Sequence, residues 1–113
     1  MHRIAIERTD RATVILAAGE LDAFAAPDLA SAFENVSGDK RVVADLARVS
    51  FMDSTVLGLI VRASRELADA GATLRIVLPT GSARRIFEIT GLDGVLPVAE
   101  TRSAALAELD RQR

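Results

Sequence analysis

The sequence predicts an α/β fold in which about four helices flank a mixed, mostly parallel sheet of about five strands, in the order ββαβαβαβα. Three observations predict it. The first residues alternate polar and apolar and are followed by a second short β-branched run, which reads as a hairpin. Short apolar runs then alternate with segments of helical period. Glycines follow the helical segments at Gly38, Gly71 and Gly91, where a chain turns back toward a sheet.

Each element follows from its residues. Arg3 to Arg8 alternates strictly and suggests an edge strand; Thr9-Asp10 turns the chain into Ala12 to Ala18, whose Val14, Ile15 and Leu16 suit a second strand ended by Gly19-Glu20-Leu21-Asp22. Pro27 fits the first turn of a helix and Asp28 its positive end, with Leu29, Ala32, Phe33 and Val36 at helical spacing. Arg41 to Leu46 reads as a central strand. The clearest helix is Ser54 to Ala70: Val56, Ile60, Ala63 and Leu67 share one face, Arg62, Arg65 and Asp69 the other, and Leu57, Val61, Ser64 and Ala68 widen the apolar arc. Thr73 to Leu78 is a strand ended by Pro79. Ser82 to Thr90 is a short helix with Ala83, Ile86 and Phe87 inward. Leu96 to Ala99 reads as a last edge strand, and Thr101 caps a final helix carrying Ala104, Ala105 and Leu109.

Composition narrows the function. At 113 residues the chain is expected to form a single domain, 1–113. An apolar share of 50% with 27% charged residues is globular rather than disordered. The net charge of −2, with no basic block, argues against direct nucleic-acid binding. The chain has no Cys and one His, His2, so thiol chemistry, a Ser/His/Asp triad and a His or Cys metal site have no residues to build on. No metal or cofactor is expected, and no enzyme activity. There is neither GxGxxG nor GxxxxGK[ST] for a nucleotide. Apolar stretches of about six to eight residues fall short of the roughly 20 a membrane span needs, and the start shows no signal-peptide core, so a cytoplasmic location without membrane insertion is expected.

Three local features stand out. Phe51-Met52-Asp53-Ser54-Thr55-Val56-Leu57-Gly58 joins a buried strand to the apolar helix. Ser54 is expected to be its N-cap, an ordinary structural duty. The sharper reading is a regulated hydroxyl, because a helix start tolerates a phosphate while the Asp53 carboxylate beside it repels one. Gly19-Glu20-Leu21-Asp22 is either a solvated turn or a recognition loop for a basic partner surface. Arg84-Arg85 reads as a solvated face, with phosphate binding second. Phe33, Phe51 and Phe87 fall in apolar patterns and are expected in the core; Phe24, after the acidic turn, is the aromatic expected at the surface.

Taken together these residues resemble the STAS domain, and within it the bacterial anti-sigma factor antagonists. The resemblance runs along nearly the whole chain: Gly19 to Asp22 is similar to the loop after the second strand, Asp45-Leu46-Ala47-Arg48-Val49-Ser50-Phe51-Met52-Asp53-Ser54-Thr55 to the signature strand and helix start, Gly71-Ala72-Thr73-Leu74 to the turn into the fourth strand, and Arg85-Ile86-Phe87-Glu88-Ile89-Thr90-Gly91-Leu92 to the short third helix and its glycine. Many members carry Gly where this chain has Val56, a packing difference if Val56 faces inward.

The resemblance implies an antagonist that, unphosphorylated, binds an anti-sigma factor serine kinase of histidine-kinase-like ATPase fold and so frees the sigma factor. Phosphorylation by that kinase would release it, and a phosphatase would restore it. The phospho-acceptor maps onto Ser54, ahead of Thr55. The partner surface maps onto Gly19, Glu20, Leu21, Asp22, Asp53, Ser54, Thr55, Leu57 and Gly58. The alternative within the same fold is an accessory subunit of an ABC-type lipid transporter, or a signalling scaffold without a phospho-switch.

Overall fold

The computed structural model describes residues 1–111; the last two residues of the expected 1–113 domain lie outside it. The elements are β1 (His2–Arg8), β2 (Thr13–Leu21), α1 (Ala26–Asn35), β3 (Arg41–Met52), α2 (Ser54–Asp69), β4 (Thr73–Val77), α3 (Ser82–Thr90), a 3₁₀ turn (Leu92–Gly94), β5 (Val98–Ala99) and α4 (Arg102–Asp110). The five strands lie in chain order, β1-β2-β3-β4-β5. The β1–β2 pair is the expected antiparallel hairpin, and every later pair is parallel.

The sheet separates two cores of unequal size. On one face Ile15, Ala17, Leu21, Val42, Ala44, Leu46, Leu74 and Ile76 meet Leu29 and Phe33 of α1, Val56, Ile60 and Leu67 of α2, and Phe87 of α3. On the other, Val14, Val43, Val77 and Ala99 meet Ala105 and Leu109 of α4, with the partly buried Ala104 and Leu106 packed against them. One short helix cannot cover a five-stranded sheet, so the β1–β2 side of this face stays open to water, which antiparallel strands tolerate. An arginine pair holds α4 down: Arg11 and Arg41 each donate to Asp110 at 2.5 Å and hold its carboxyl below the usual carboxylate range.

Strand β3 is where the expected fold needs correction. It runs to Met52 rather than stopping at Leu46, and its register against β2 shifts twice, between Leu16 and Ala18 and between Gly19 and Glu20. Each shift places one more residue on β3 than on β2, the mark of a bulge. The Asp45 carboxylate accepts from the Ala47 amide at 3.0 Å inside the first one. Side chains facing the larger core are therefore Val42, Ala44 and Leu46, then Val49, then Met52. The two-residue period slips by one at each bulge, so the two slips cancel by Met52; Phe51, expected in the core, lies on the opposite face from Met52 and is 47% exposed.

Smaller departures have equally local causes. Arg84 is half-buried rather than solvated, because its guanidinium donates to the Leu78 carbonyl at 2.6 Å and ties α3 to the end of β4. Ile86 and Ala104, expected inward, are only half-buried. The last strand is shorter than Leu96 to Ala99. Gly71 and Gly91 adopt φ of +81° and +76°, the left-handed conformation expected of glycines that end helices.

Candidate functional site

The two segments singled out in the sequence meet at the carboxyl ends of β2 and β3. Register pairs Glu20 with Phe51 and Leu21 with Met52. The Asp53 amide then donates to the Leu21 carbonyl at 3.2 Å, so the pairing continues until the chain turns into α2. Parallel strands end here together, and the connections that follow them are free to present side chains to a ligand or partner.

Asp53, not Ser54, is the N-cap. Its backbone is extended, at φ −101° and ψ 177°, and its Oδ1 accepts from the Val56 amide at 3.1 Å. Both residue types cap well, so the order of two adjacent candidates is undecided by local preference. The strand settles it, because the bond to Leu21 holds Asp53 in the extended conformation a cap requires. Ser54 becomes the first residue of the helix and is exposed, as are Thr55 and Gly58. Its hydroxyl therefore stands at the positive end of a 16-residue helix, beside amides that have no acceptor one turn back. Val56 is fully buried, which makes the larger side chain at that position a core contact, as its spacing implied.

The acidic segment divides into two parts. Gly19, Glu20 and Leu21 belong to β2, and only Asp22 lies in the connection to α1. Leu21 is fully buried and cannot touch a partner, a correction to its expected role: it faces the larger core because the strand period continues through it. Gly19 has φ +86°, and a Cβ there would fall 2.3 Å from the Met1 carbonyl oxygen. The absence of a side chain lets β1 approach at this point. Glu20 is exposed, its Oε1 3.1 Å from the Met1 ammonium. Asp22 Oδ1 accepts from the Phe24 and Ala25 amides at 3.0 and 3.2 Å, closing a tight turn that leaves Phe24 87% exposed.

The resulting surface carries three carboxylates (Glu20, Asp22, Asp53), two exposed hydroxyls (Ser54, Thr55), the half-buried Leu57 and two exposed aromatics. Phe51 is the member that sequence reasoning missed. Its signal is parity: two-residue alternation from Val42, Ala44 and Leu46 puts Met52 inward and Phe51 outward, and the two register shifts cancel by that point. Among the described residues no group of three His, Cys, Asp or Glu side chains is placed to hold a metal ion, and no helix is long and apolar enough to cross a membrane.

Comparison with known proteins agrees with this architecture. The STAS domain model matches residues 3–105. The anti-sigma-B factor antagonist of Listeria monocytogenes is 37% identical over 100 residues, which cover 84% of this chain and 88% of that protein. The Staphylococcus aureus protein of the same name is 36% identical over 84 residues, covering 73% and 78%. Among solved structures, an anti-sigma factor antagonist from Mycobacterium paratuberculosis superposes with a TM-score of 0.88 at 28% identity, over 97% of this chain and 95% of that one. The Bacillus cell fate determinant SpoIIAA in its phosphorylated form superposes with a TM-score of 0.69 at 26% identity, over 98% and 100%. With the sheet order, the helix start and these matches in hand, the chain belongs to the STAS domain family and is homologous to bacterial anti-sigma factor antagonists.

Proposed function

We propose that this protein is an anti-sigma factor antagonist that binds an anti-sigma factor kinase through the Asp53–Gly58 helix start and the exposed Glu20 and Asp22, and is switched off by phosphorylation of Ser54. The observation that carries the reading is the exposure of Ser54 at the first position of α2, directly after a carboxylate whose Oδ1 is committed to capping. The names of the relatives support the partner class, and SpoIIAA, at 26% identity, has a phosphorylated form.

The mechanism is local electrostatics. A partner docked over the helix start covers the Ser54 hydroxyl. A phosphate adds a charge of about −1.5 to −2 there. The fold tolerates it, because the helix end favours an anion. The interface does not: the phosphate must be desolvated beside Asp53, on a surface already carrying Glu20 and Asp22. Like charges brought together across an interface cost several kcal/mol. A hundredfold loss of affinity needs only about 2.7 kcal/mol. A phosphatase removing the group restores binding. No catalytic step is assigned to this chain.

The test is incubation with candidate anti-sigma kinases and ATP, read by intact mass and by phosphosite mapping. One added phosphate on Ser54, absent from Ser54→Ala, is the expected result. A phosphate that maps to another residue while Ser54→Ala is still released overturns the acceptor. Co-purification with a transporter ATPase subunit, indifferent to Ser54, would favour the transporter-subunit reading instead.

A further inference from the structure

The open part of the sheet, on the α4 side, carries a further feature, next along the strands from Glu20 and Phe51. Strand register lines up Arg3 of β1, Ala18 of β2 and Arg48 of β3 in one row across the sheet. Directly opposed residues share a face, so both arginines rise on either side of an alanine. Two strand spacings set their Cα atoms about 10 Å apart. The next row, Ala5, Leu16 and Asp45, supplies the floor. Arg102, in the first turn of α4, closes one side. The concavity between them has a volume of about 430 Å³, within the range of small-molecule sites.

The charges in it are unequally satisfied. Asp45 is spent: Oδ1 takes the Ala47 amide and Oδ2 takes Arg102 Nε at 2.9 Å. Arg102 also donates to Glu7 at 3.2 Å, so its charge is neutralised. Arg3 and Arg48 are exposed and have no carboxylate within salt-bridge distance among the described residues. Two positive groups therefore face one notch in a protein of net charge −2, with no counter-charge of their own.

From this juxtaposition we propose that the Arg3–Ala18–Arg48 notch binds a small phosphate monoester, its phosphate between the two guanidinium groups and its organic part over Leu16 and Ala5. The chemistry selects the ligand. One guanidinium fork satisfies a carboxylate, whereas the three oxygens of a phosphate accept from two forks at once. The alanines leave room for a phosphate where larger side chains would fill the row, and the half-buried Leu16 offers apolar surface to the ester. The proposal does not rest on phosphorylation of Ser54.

The test is titration of the ¹⁵N-labelled full chain with inorganic phosphate and with n-butyl phosphate, an ester with an apolar organic part, at constant ionic strength. Saturable amide shifts confined to Ala5, Ala18, Ala47 and Arg48 are expected, with the ester binding more tightly than phosphate. Arg3→Gln and Arg48→Gln should each weaken binding at least about tenfold, as loss of a charged hydrogen-bond donor does. Both side chains are exposed and unpaired, so the variants should fold, and their thermal melts check this. Arg48→Lys, which keeps the charge and loses the fork, should fall between. Arg62→Gln, on the exposed face of α2, should bind as wild type. Shifts that spread over all arginines, or Gln variants that bind as wild type, would overturn the site. Tighter binding through the same two arginines to phosphatidylglycerol vesicles or to a polyglutamate peptide would overturn the small-ligand assignment.

Discussion

The Asp53 carboxylate accepts from the Val56 amide at 3.1 Å, spanning Ser54 and leaving the serine hydroxyl exposed at the first helical position. Structural and regulatory duties thus fall on neighbouring residues. Asp53→Ala should cost about 1 kcal/mol of stability in urea denaturation, the usual loss of an N-cap. Ser54→Ala, which removes no cap, should cost less than about 0.5 kcal/mol. Equal losses would put the cap back on Ser54.

Alternation along β3 makes adjacent residues unequal. Met52 is 2% exposed and Phe51 is 47% exposed. Met52→Ala should cost about 2–5 kcal/mol, the range for emptying a core site. Phe51→Ala, although it deletes a larger side chain, should cost less than about 1 kcal/mol. In binding to an anti-sigma kinase the order should reverse, with Phe51→Ala and Phe24→Ala the more damaging, since exposed aromatics are the common anchors of interfaces.

Gly19→Ala tests the β1–β2 contact. The substitution meets both a positive φ and the Met1 carbonyl oxygen at 2.3 Å. It should destabilise by more than about 1 kcal/mol, measured as a shift in the denaturation midpoint.

The α4 anchor predicts a pH dependence. Arg41 and Arg11 hold the Asp110 carboxyl below its ordinary value of 3.8. A carboxyl depressed on folding adds stability above its unfolded pKa, and that stability disappears as pH falls through the folded value. The stability difference between wild type and Asp110→Asn should therefore be constant at neutral pH and shrink as pH drops below 3.8. A difference unchanged down to pH ~2 would contradict the pairing.

What could be read from the sequence was whatever local chemistry decides. The hairpin, α2 with its inward Val56, the glycines ending α2 and α3, and the Thr101 cap, which accepts from the Ala104 amide at 3.0 Å, all follow from spacing and backbone preference. The exposed Phe24 was legible for the same reason. What could not be read depends on contacts between strands. The exposure of Phe51 comes from β3 continuing past Leu46 with Met52 taking the inward face, the choice of Asp53 over Ser54 as cap comes from the Leu21 carbonyl, and the burial of Leu21 comes from β2 continuing three residues past Ala18. The candidate site lies where these long-range effects meet, so its residues were legible while their individual duties were not.

The Ser54 switch is tested most directly by the affinity of the Ser54-phosphorylated protein for its anti-sigma kinase, compared by calorimetry with the unphosphorylated protein. A loss of about 100-fold, with an unchanged amide spectrum away from the start of α2, is predicted. Equal affinities of the two forms would contradict a charge-based switch at Ser54.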